Sequence, residues 1–402
     1  MPWPIPDVAT IARPQPIGIG SWLLVFVAVI GLGAGATLLL WPQGRPTNEV
    51  GFWLFLIGLP VAVFALVFGL RLTKWERGQL LAEESEQECR RLDLLWRNWA
   101  RRDLSVVRAQ AFLPIGPAPG ELAAAGANLP VNALRSVGFP WAGEAKAVSR
   151  YTTVLNLIAD RFADVLAELQ SVEVRLVLDD VSLAQEAQEA KEARWSTKTK
   201  HLLEASAPGV SVDVHVAGAH PTDCLAWMDE GFDVDEMPAR LVIAAQIWPD
   251  TGERVFSEGA AALLLKPRTA SRRDRAAHRC IAPAHLLRPM ASSSGTIAAD
   301  VRQLLDMQGR PGVSPRAWLS GCTQQDRAAF LTVLCSLGED KPAVLPLDDV
   351  MGFPGPVSGW VALAIALETA GQDSQDQLVA WHTPGSDRTH LCVAVPSIPG
   401  GN

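Results

Sequence analysis

Two apolar segments, ARLVIAAQI at residues 239–247 and FSEGAAALLL at residues 256–265, decide the fold. Their central residues are apolar without alternation, which is typical of strands that are buried on both faces of a sheet. Upstream, VEVRLVL at 172–178 and VSVDVHV at 210–216 alternate and predict two further strands, and residues 151–169 have helical periodicity. Strands that alternate with helices indicate an α/β domain with a largely buried sheet.

The second half of this domain repeats the pattern. Helical periodicity at 297–307 and 326–337 flanks a short strand at 317–319, and residues 344–347 predict another strand. A glycine turn precedes a helix at 359–369, and the segments 377–382 and 390–395 predict a closing hairpin. The two halves therefore occupy residues 141–270 and 280–396.

Two apolar stretches near the start of the chain, Trp22–Leu40 and Phe52–Leu70, contain no charged residue. Each is about 19 residues long, and a helix of that length spans roughly 30 Å, the thickness of a bilayer's hydrocarbon core. We therefore predict an irregular leader at 1–18, a transmembrane helical hairpin at 19–71, a basic amphipathic stalk helix at 72–112 and an α/β domain at 113–402.

The flanks of the two spans predict an orientation and a set of residues at the membrane interface. The loop between the spans carries one basic residue, Arg45, whereas basic residues are frequent after the second span. The positive-inside rule then places both termini in the cytoplasm, at the inner membrane of a bacterium. Tryptophans favour the headgroup layer, and the predicted interface residues are Trp22, Trp41, Trp53, Arg71, Lys74, Trp75 and Arg77.

Composition excludes several classes of function. A net charge of −8 argues against nucleic-acid binding. The six cysteines form no CxxC pair and no Cys/His ligand spacing, which argues against a disulfide framework or a zinc site. The chain lacks the P-loop, dinucleotide, GxSxG and HExxH motifs, so we expect no cofactor and no metal.

Three segments carry a resemblance to a known family. Residues 256–265 resemble the F-x-E-G-A-A-A-L-x-L segment of β-ketoacyl synthases, which are members of the thiolase-like superfamily. Residues 241–245 resemble the strand that precedes it. Residues 351–360, followed by 362–368, resemble the family's G-H-x-x-x-A-x-G turn and the helix that follows. The resemblance implies a layered α/β fold of two duplicated βαβαβ halves with back-to-back sheets.

The same resemblance implies that the catalytic machinery is incomplete. The family uses a cysteine nucleophile and two histidines that stabilise a thioester oxyanion. Cys224, near His220, lies roughly where the nucleophile belongs, but Leu319–Gln324 contains no histidine and Phe353 replaces the second one. Asp223 beside Cys224 would raise the thiol pKa.

Three hypotheses for function follow. The first is a catalytically inactive domain that is tethered to the bilayer and binds or scaffolds a protein partner or a second copy of itself. Degenerate ketosynthase-like proteins of this kind accompany type VI secretion, so the resemblance implies a secretion-accessory role. The second is a membrane-tethered acyl-transfer or thioester-cleaving enzyme that uses Cys224 with His220 or His285. The third is an immunity protein that acts through the hairpin.

Overall fold

The structure is a computed structural model, and it describes all residues except 1–2, 7–8, 43–44, 125–128, 191, 193, 220–227, 235–236, 268–282, 294, 311, 338–341, 383–387 and 398–402. The chain forms two compact units. One is helical and comprises Ile5–Trp96, and the other comprises Arg97–Asn402 together with the first residues of the chain.

The helical unit is a hairpin of two long helices. Helix α1 is Ile19–Leu40 and helix α2 is Val50–Ala100, with a π-helical turn at Leu54–Gly58. Both helices are long and apolar enough to cross a membrane, and no residue of α1 is buried. The two apolar stretches predicted from the sequence lie within these helices.

The two helices meet at a joint around Pro60. Proline has no N–H to donate, and in the π register of this turn the carbonyl of Phe55 would be its acceptor. The hydroxyl of Thr37 lies 3.1 Å from that carbonyl oxygen and 2.8 Å from the carbonyl oxygen of Gly33, and it can donate to either. Gly33 packs against the Pro60 ring, which leaves no room there for a Cβ atom, whereas Gly35 has open space around it.

The stalk prediction is wrong beyond Ala100. Residues 103–112 form a strand, β1 (Asp103–Phe112), and not the end of a helix. Leu104 and Val106 are fully buried in the sheet, and burial there outweighs the helical spacing of the preceding leucines and tryptophans. The α/β unit therefore begins at Arg97, and its first half begins well before residue 141.

The first half continues with helices α3 (Pro119–Ala124), α4 (Ala147–Ala167), α5 (Asp180–Gln188), α6 (Trp195–Ser206) and α7 (228–233). Its strands are β2 (Ser171–Leu178), β3 (Ser211–Gly218), β4 (Ala239–Gln246) and β5 (Gly259–Pro267). The spatial order is β3-β2-β4-β5-β1. Strands β3, β2 and β4 are parallel, and β5 is antiparallel to both of its neighbours.

The second half comprises β6 (Ala284–Leu287), β7 (Met290–Ser293), α8 (Ile297–Gln308), β8 (Arg316–Ser320), α9 (Gln324–Ser336), β9 (Val344–Pro346), α10 (Leu347–Met351), α11 (Ser358–Gln372), β10 (Gln377–His382) and β11 (Arg388–Pro396). Its order, β9-β8-β10-β11-β6, repeats that of the first half strand for strand. The directions also repeat, since β11 is antiparallel to β10 and β6. The duplication implied by the resemblance is confirmed.

The two halves are also joined through their first strands. The first strands of the halves, β1 and β6, pair antiparallel over four residues, from Asp103 opposite Leu287 to Val106 opposite Ala284. This pairing joins the two sets of five strands into one continuous sheet, in which β7 also pairs with β11.

Helix α11 forms the central layer. Residues Ser358–Leu367 are buried without a break, and α11 contacts β1, β5 and β6 as well as β8, β10 and β11. Along β4 the side chains alternate, because Val242 and Ala244 share the core of α11 whereas Leu241 and Ile243 share that of α4. The unit is a thiolase-like layered α/β fold, with α4 and α6 on the outer face of the first half.

Candidate functional site

A small cleft, with a cavity volume of about 20 Å³, lies at the carboxyl ends of the parallel strands of the second half. It is lined by Ser320 at the end of β8, Asp348 in α10, the Gly352–Pro354 turn and residues 257–259 before β5. In open α/β sheets, ligands bind beyond the carboxyl ends of strands. The structure therefore brings together segments that carried the resemblance and the two places where histidines were expected.

A carboxylate occupies the first of these two places. The N–H of Gly321 donates to Asp348, at 2.9 Å to Oδ2, and the hydroxyl of Ser320 lies 3.3 Å from Oδ1. Burial raises the pKa of Asp348 to about 6, although these hydrogen bonds and Arg327 favour the ionised form. The N–H of Gly321, which could otherwise donate to a substrate oxygen, thus donates to the carboxylate of Asp348.

Cys322, next to this carboxylate, is a buried thiol. Its Sγ atom lies 3.7 Å from the carbonyl oxygen of Ser320 and 3.8 Å from that of Ala380. Burial, followed by the negative charges of Asp326 and Asp348, raises its pKa to about 12. A thiol in this environment is protonated at neutral pH and is a poor nucleophile.

Phe353 stands where the second histidine was expected, and its backbone forms two hydrogen bonds there. Its N–H donates to the carbonyl of Arg135 at 2.9 Å, and its own carbonyl accepts from the N–H of Ser257 at 2.9 Å. Gly352 has φ = 90°, and the Arg135 carbonyl and the Ser257 hydroxyl approach it so closely that a side chain would collide with both. The turn is therefore a structural link between the two halves.

The glutamate of the 256–265 segment has a structural role. The buried carboxylate of Glu258 forms an ion pair with Arg150, which is also buried. It also accepts from the N–H groups of Phe139 at 2.9 Å and Trp248 at 3.0 Å. Arg150 in turn donates to the Trp248 carbonyl at 2.9 Å. One carboxylate thereby holds α4, the loop after β4 and the segment around residue 139.

The proposed nucleophile and its first partner, Cys224 and His220, lie outside the described residues. The other candidate partner, His285, lies on β6 with its Nδ1 atom 2.8 Å from Asp103 and 3.4 Å from the Ser105 hydroxyl. Both contacts use the same ring nitrogen, whereas a Ser-His-Asp triad uses one nitrogen for each partner. This group therefore lacks the geometry of a triad.

The predicted interface residues lie near the ends of the two spans. Trp22 lies in the first turn of α1, where its ring contacts Phe68 at 5.2 Å between centroids. Trp41 follows the last residue of α1 and contacts Phe52 at 5.1 Å, and Trp53 is more than half exposed. Arg71, Lys74, Trp75 and Arg77 all lie on α2.

Two pairs of adjacent aspartates each follow a strand of the sheet. Asp179 caps α5, since its carboxylate accepts from the Ser182 N–H at 2.9 Å. Asp348 and Asp349 also lie in a first helical turn, but Arg327 pairs with both, at 3.5 and 3.0 Å. The position of Asp348, two residues after the end of β9, was the available signal for its place in the cleft.

Comparisons with known proteins give similarity only among solved structures, since no family model and no curated protein matches the chain. An oxazolomycin ketosynthase domain of Streptomyces albus has a TM-score of 0.46 and 13% identity, and the match covers 74% of this chain and 96% of that one. The 3-oxoacyl-(acyl carrier protein) synthase III of Pseudomonas aeruginosa has a TM-score of 0.43 and 16% identity, and the match covers 74% of this chain and 100% of that one. The peroxisomal 3-ketoacyl-CoA thiolase of Saccharomyces cerevisiae has a TM-score of 0.44 and 12% identity, and the match covers 74% of this chain and 98% of that one. That thiolase is described as five-layered, with two core domains of identical topology.

Proposed function

We propose that this chain is a membrane-anchored, thiolase-like protein that does not condense thioesters and instead binds or scaffolds other molecules. The observation that carries the proposal is the composition of the cleft. Its lining contains Asp348 and Glu258, and no histidine, among the residues that the structure describes.

Electrostatics supports this proposal. Thioester condensation requires donors that stabilise a developing oxyanion, and the removal of one such donor costs about 10²–10³ in rate. In this cleft the N–H of Gly321 is engaged by the carboxylate of Asp348, so a second negative charge would meet repulsion rather than a donor. The buried thiol of Cys322 supplies no alternative nucleophile.

The membrane part of the proposal is supported by the two long apolar helices and by the distribution of charge around them. Basic residues Arg71, Lys74 and Arg77 follow the second span directly, which favours a cytoplasmic location of the α/β domain and of both termini, at a bacterial inner membrane. The loop between the spans is short, which favours anchoring over transport.

The partner is proposed to be a protein, either a secretion component or a second copy of this chain. Strand β3 lies at one end of the ladder, and an end strand has backbone groups that can pair with another chain. A net charge of −8 argues against a nucleic-acid partner. Swapping residues 1–71 for an unrelated hairpin tests whether the anchor has a specific role beyond tethering: a lost phenotype would favour the immunity hypothesis.

The test of inactivity is a turnover assay on the purified full-length chain with acyl-CoA and acyl-carrier-protein thioesters. We expect rates equal to those without protein, and no change in Cys224→Ala. Turnover that is abolished by Cys224→Ala would contradict the proposal. Resistance to carbonate extraction tests anchorage separately, and release of the chain into the supernatant would overturn that part.

A further inference from the structure

The helical unit contains a cleft that the proposed function does not use. It lies between the start of α1 and residues 64–75 of α2, and its cavity volume is about 490 Å³. Small-molecule sites in proteins are typically about 300–1,000 Å³. The ten lining residues are Pro16, Ile17, Ile19, Trp22, Leu23, Phe26, Phe64, Phe68, Leu72 and Trp75, none of which is charged.

Aromatic rings build the walls of this cleft. Phe64 is in edge contact with Phe26 at 4.9 Å between centroids and is stacked on Phe68 at 5.7 Å. Trp22 contacts Phe68 from the opposite helix at 5.2 Å. Rings that pack on one another lose little freedom when an apolar chain enters between them, so the cleft is preorganised for an apolar ligand.

The leader closes one end of the cleft. Pro16 and Ile17 contribute to its lining, and the preceding residues are fixed along α2. Arg13 forms an ion pair with Glu86 at 2.8 Å, and the N–H of Ile11 donates to the Ser85 hydroxyl at 3.3 Å. The open side of the cleft faces the surroundings of the hairpin.

One basic residue shares the face of α2 that lines the cleft. Phe64, Phe68 and Trp75 are spaced i, i+4 and i+11, and Arg71 falls at i+7 of the same series. Lys74 flanks this face, whereas Arg77 falls on the opposite side of the helix. Arg71 directly follows the last residue of the apolar stretch, where anionic headgroups would lie if the helix spans a bilayer.

We infer that this cleft binds one acyl chain of an anionic phospholipid of the cytoplasmic leaflet, with the headgroup at Arg71. The inference rests on the proposed membrane anchoring. The uncharged, aromatic lining disfavours a polar ligand, and the guanidinium of Arg71 on the same helix face matches an anionic headgroup rather than a neutral one.

The experiment uses the full-length chain in vesicles of phosphatidylcholine, with or without phosphatidylglycerol, and a phosphatidylglycerol probe with a photoactivatable acyl chain. Peptide mass spectrometry locates the cross-links. We expect them at Trp22, Phe26, Phe64 and Phe68, and not at Leu66 and Leu70, which are exposed on the other side of α2. Arg71→Gln should lower labelling of the cleft about fivefold, whereas the matched variant Arg77→Gln should leave it unchanged.

Equal labelling of Leu66 and Phe64, or equal effects of Arg71→Gln and Arg77→Gln, would overturn the inference, because ordinary lipid around a helix would give both results. Carbonate extraction of the same vesicles separates the two proposals. A chain that is retained but uniformly labelled contradicts the cleft alone, and a chain that is extracted contradicts anchoring and the cleft together.

Discussion

At the residue scale, Glu258 shows how a sequence motif and its role can separate. The motif predicted membership of a catalytic family, but the carboxylate is buried and pairs with Arg150 while it accepts two backbone N–H groups. The sequence shows that Glu258 belongs to the motif. It does not show that Arg150 is the partner of Glu258, because Arg150 lies on α4, more than a hundred residues away in the chain.

Glu258→Gln should strongly destabilise the protein, because it leaves the Arg150 guanidinium buried without a counter-charge. Loss of one member of a buried pair costs about 3–5 kcal/mol. Thermal unfolding of the detergent-solubilised chain measures this loss as a lower Tm. The control, Glu253→Gln, changes an exposed carboxylate and should shift stability by no more than about 0.5 kcal/mol. Similar shifts for both variants would disprove the role of the pair.

Cys322 should resist alkylation. Burial raises the pKa of its thiol to about 12, whereas Cys335 is exposed. Because the thiolate is the reactive form, we expect iodoacetamide at pH 8 to modify Cys335 at least about 100-fold faster. Peptide-resolved mass spectrometry over time gives the two rates, and comparable rates would show that the site around Ser320 is open.

At the element scale, α11 was predicted within a few residues, since its long apolar run identifies a buried helix. Strand β1 was missed, because a basic and leucine-rich helix runs directly into it and only its pairing with β5 and β6 determines its conformation. The strand contains Ser105, Arg108 and Gln110 among its apolar residues, and local pattern alone does not distinguish it from the end of an amphipathic helix.

Glu368, on α11, predicts a pH dependence of stability. Burial raises its pKa from 4.5 to about 7, although the N–H of Ala111 donates to the carboxylate. The folded state therefore holds this proton more tightly than the unfolded state, so the stability that Glu368 contributes is fully present below about pH 4.5 and is lost as pH rises through 7. The contribution of this group is on the order of 3 kcal/mol.

Glu368→Gln keeps the acceptor for Ala111 and removes the titration. We expect its Tm to exceed that of the unmodified chain at pH 8 and to match it near pH 5. Parallel melts across this range test the prediction. A variant that is less stable at pH 8 would mean that the ionised carboxylate is favoured in the fold.

Gly33 and Gly35 give a matched pair in the hairpin. A side chain at position 33 would collide with the Pro60 ring, whereas position 35 has open space. Gly33→Leu should separate the helices and Gly35→Leu should not. Oxidative cross-linking of cysteines placed at Phe26 and Phe64, whose rings are 4.9 Å apart, reports the separation. Equal cross-linking yields in the two variants would contradict the close packing of the helices at Gly33 and Pro60.

At the scale of the whole molecule, the family resemblance predicted the duplication, and the strand order confirms it. The pairing of β1 with β6, which joins the two halves, could not be predicted from the sequence, because four residue pairs between distant segments leave no local signal. The candidate site was predicted in part. The sequence shows that histidines are missing, but only the fold places Asp348 against Gly321.

The α/β domain is proposed to be tethered to the membrane and to perform no acyl transfer. Intact-protein mass spectrometry of the full-length chain, after incubation in membranes with acyl-carrier-protein thioesters, tests it most directly. We expect an unmodified mass for the native chain and for Cys224→Ala. An acyl adduct on the native chain that is absent from Cys224→Ala would contradict it.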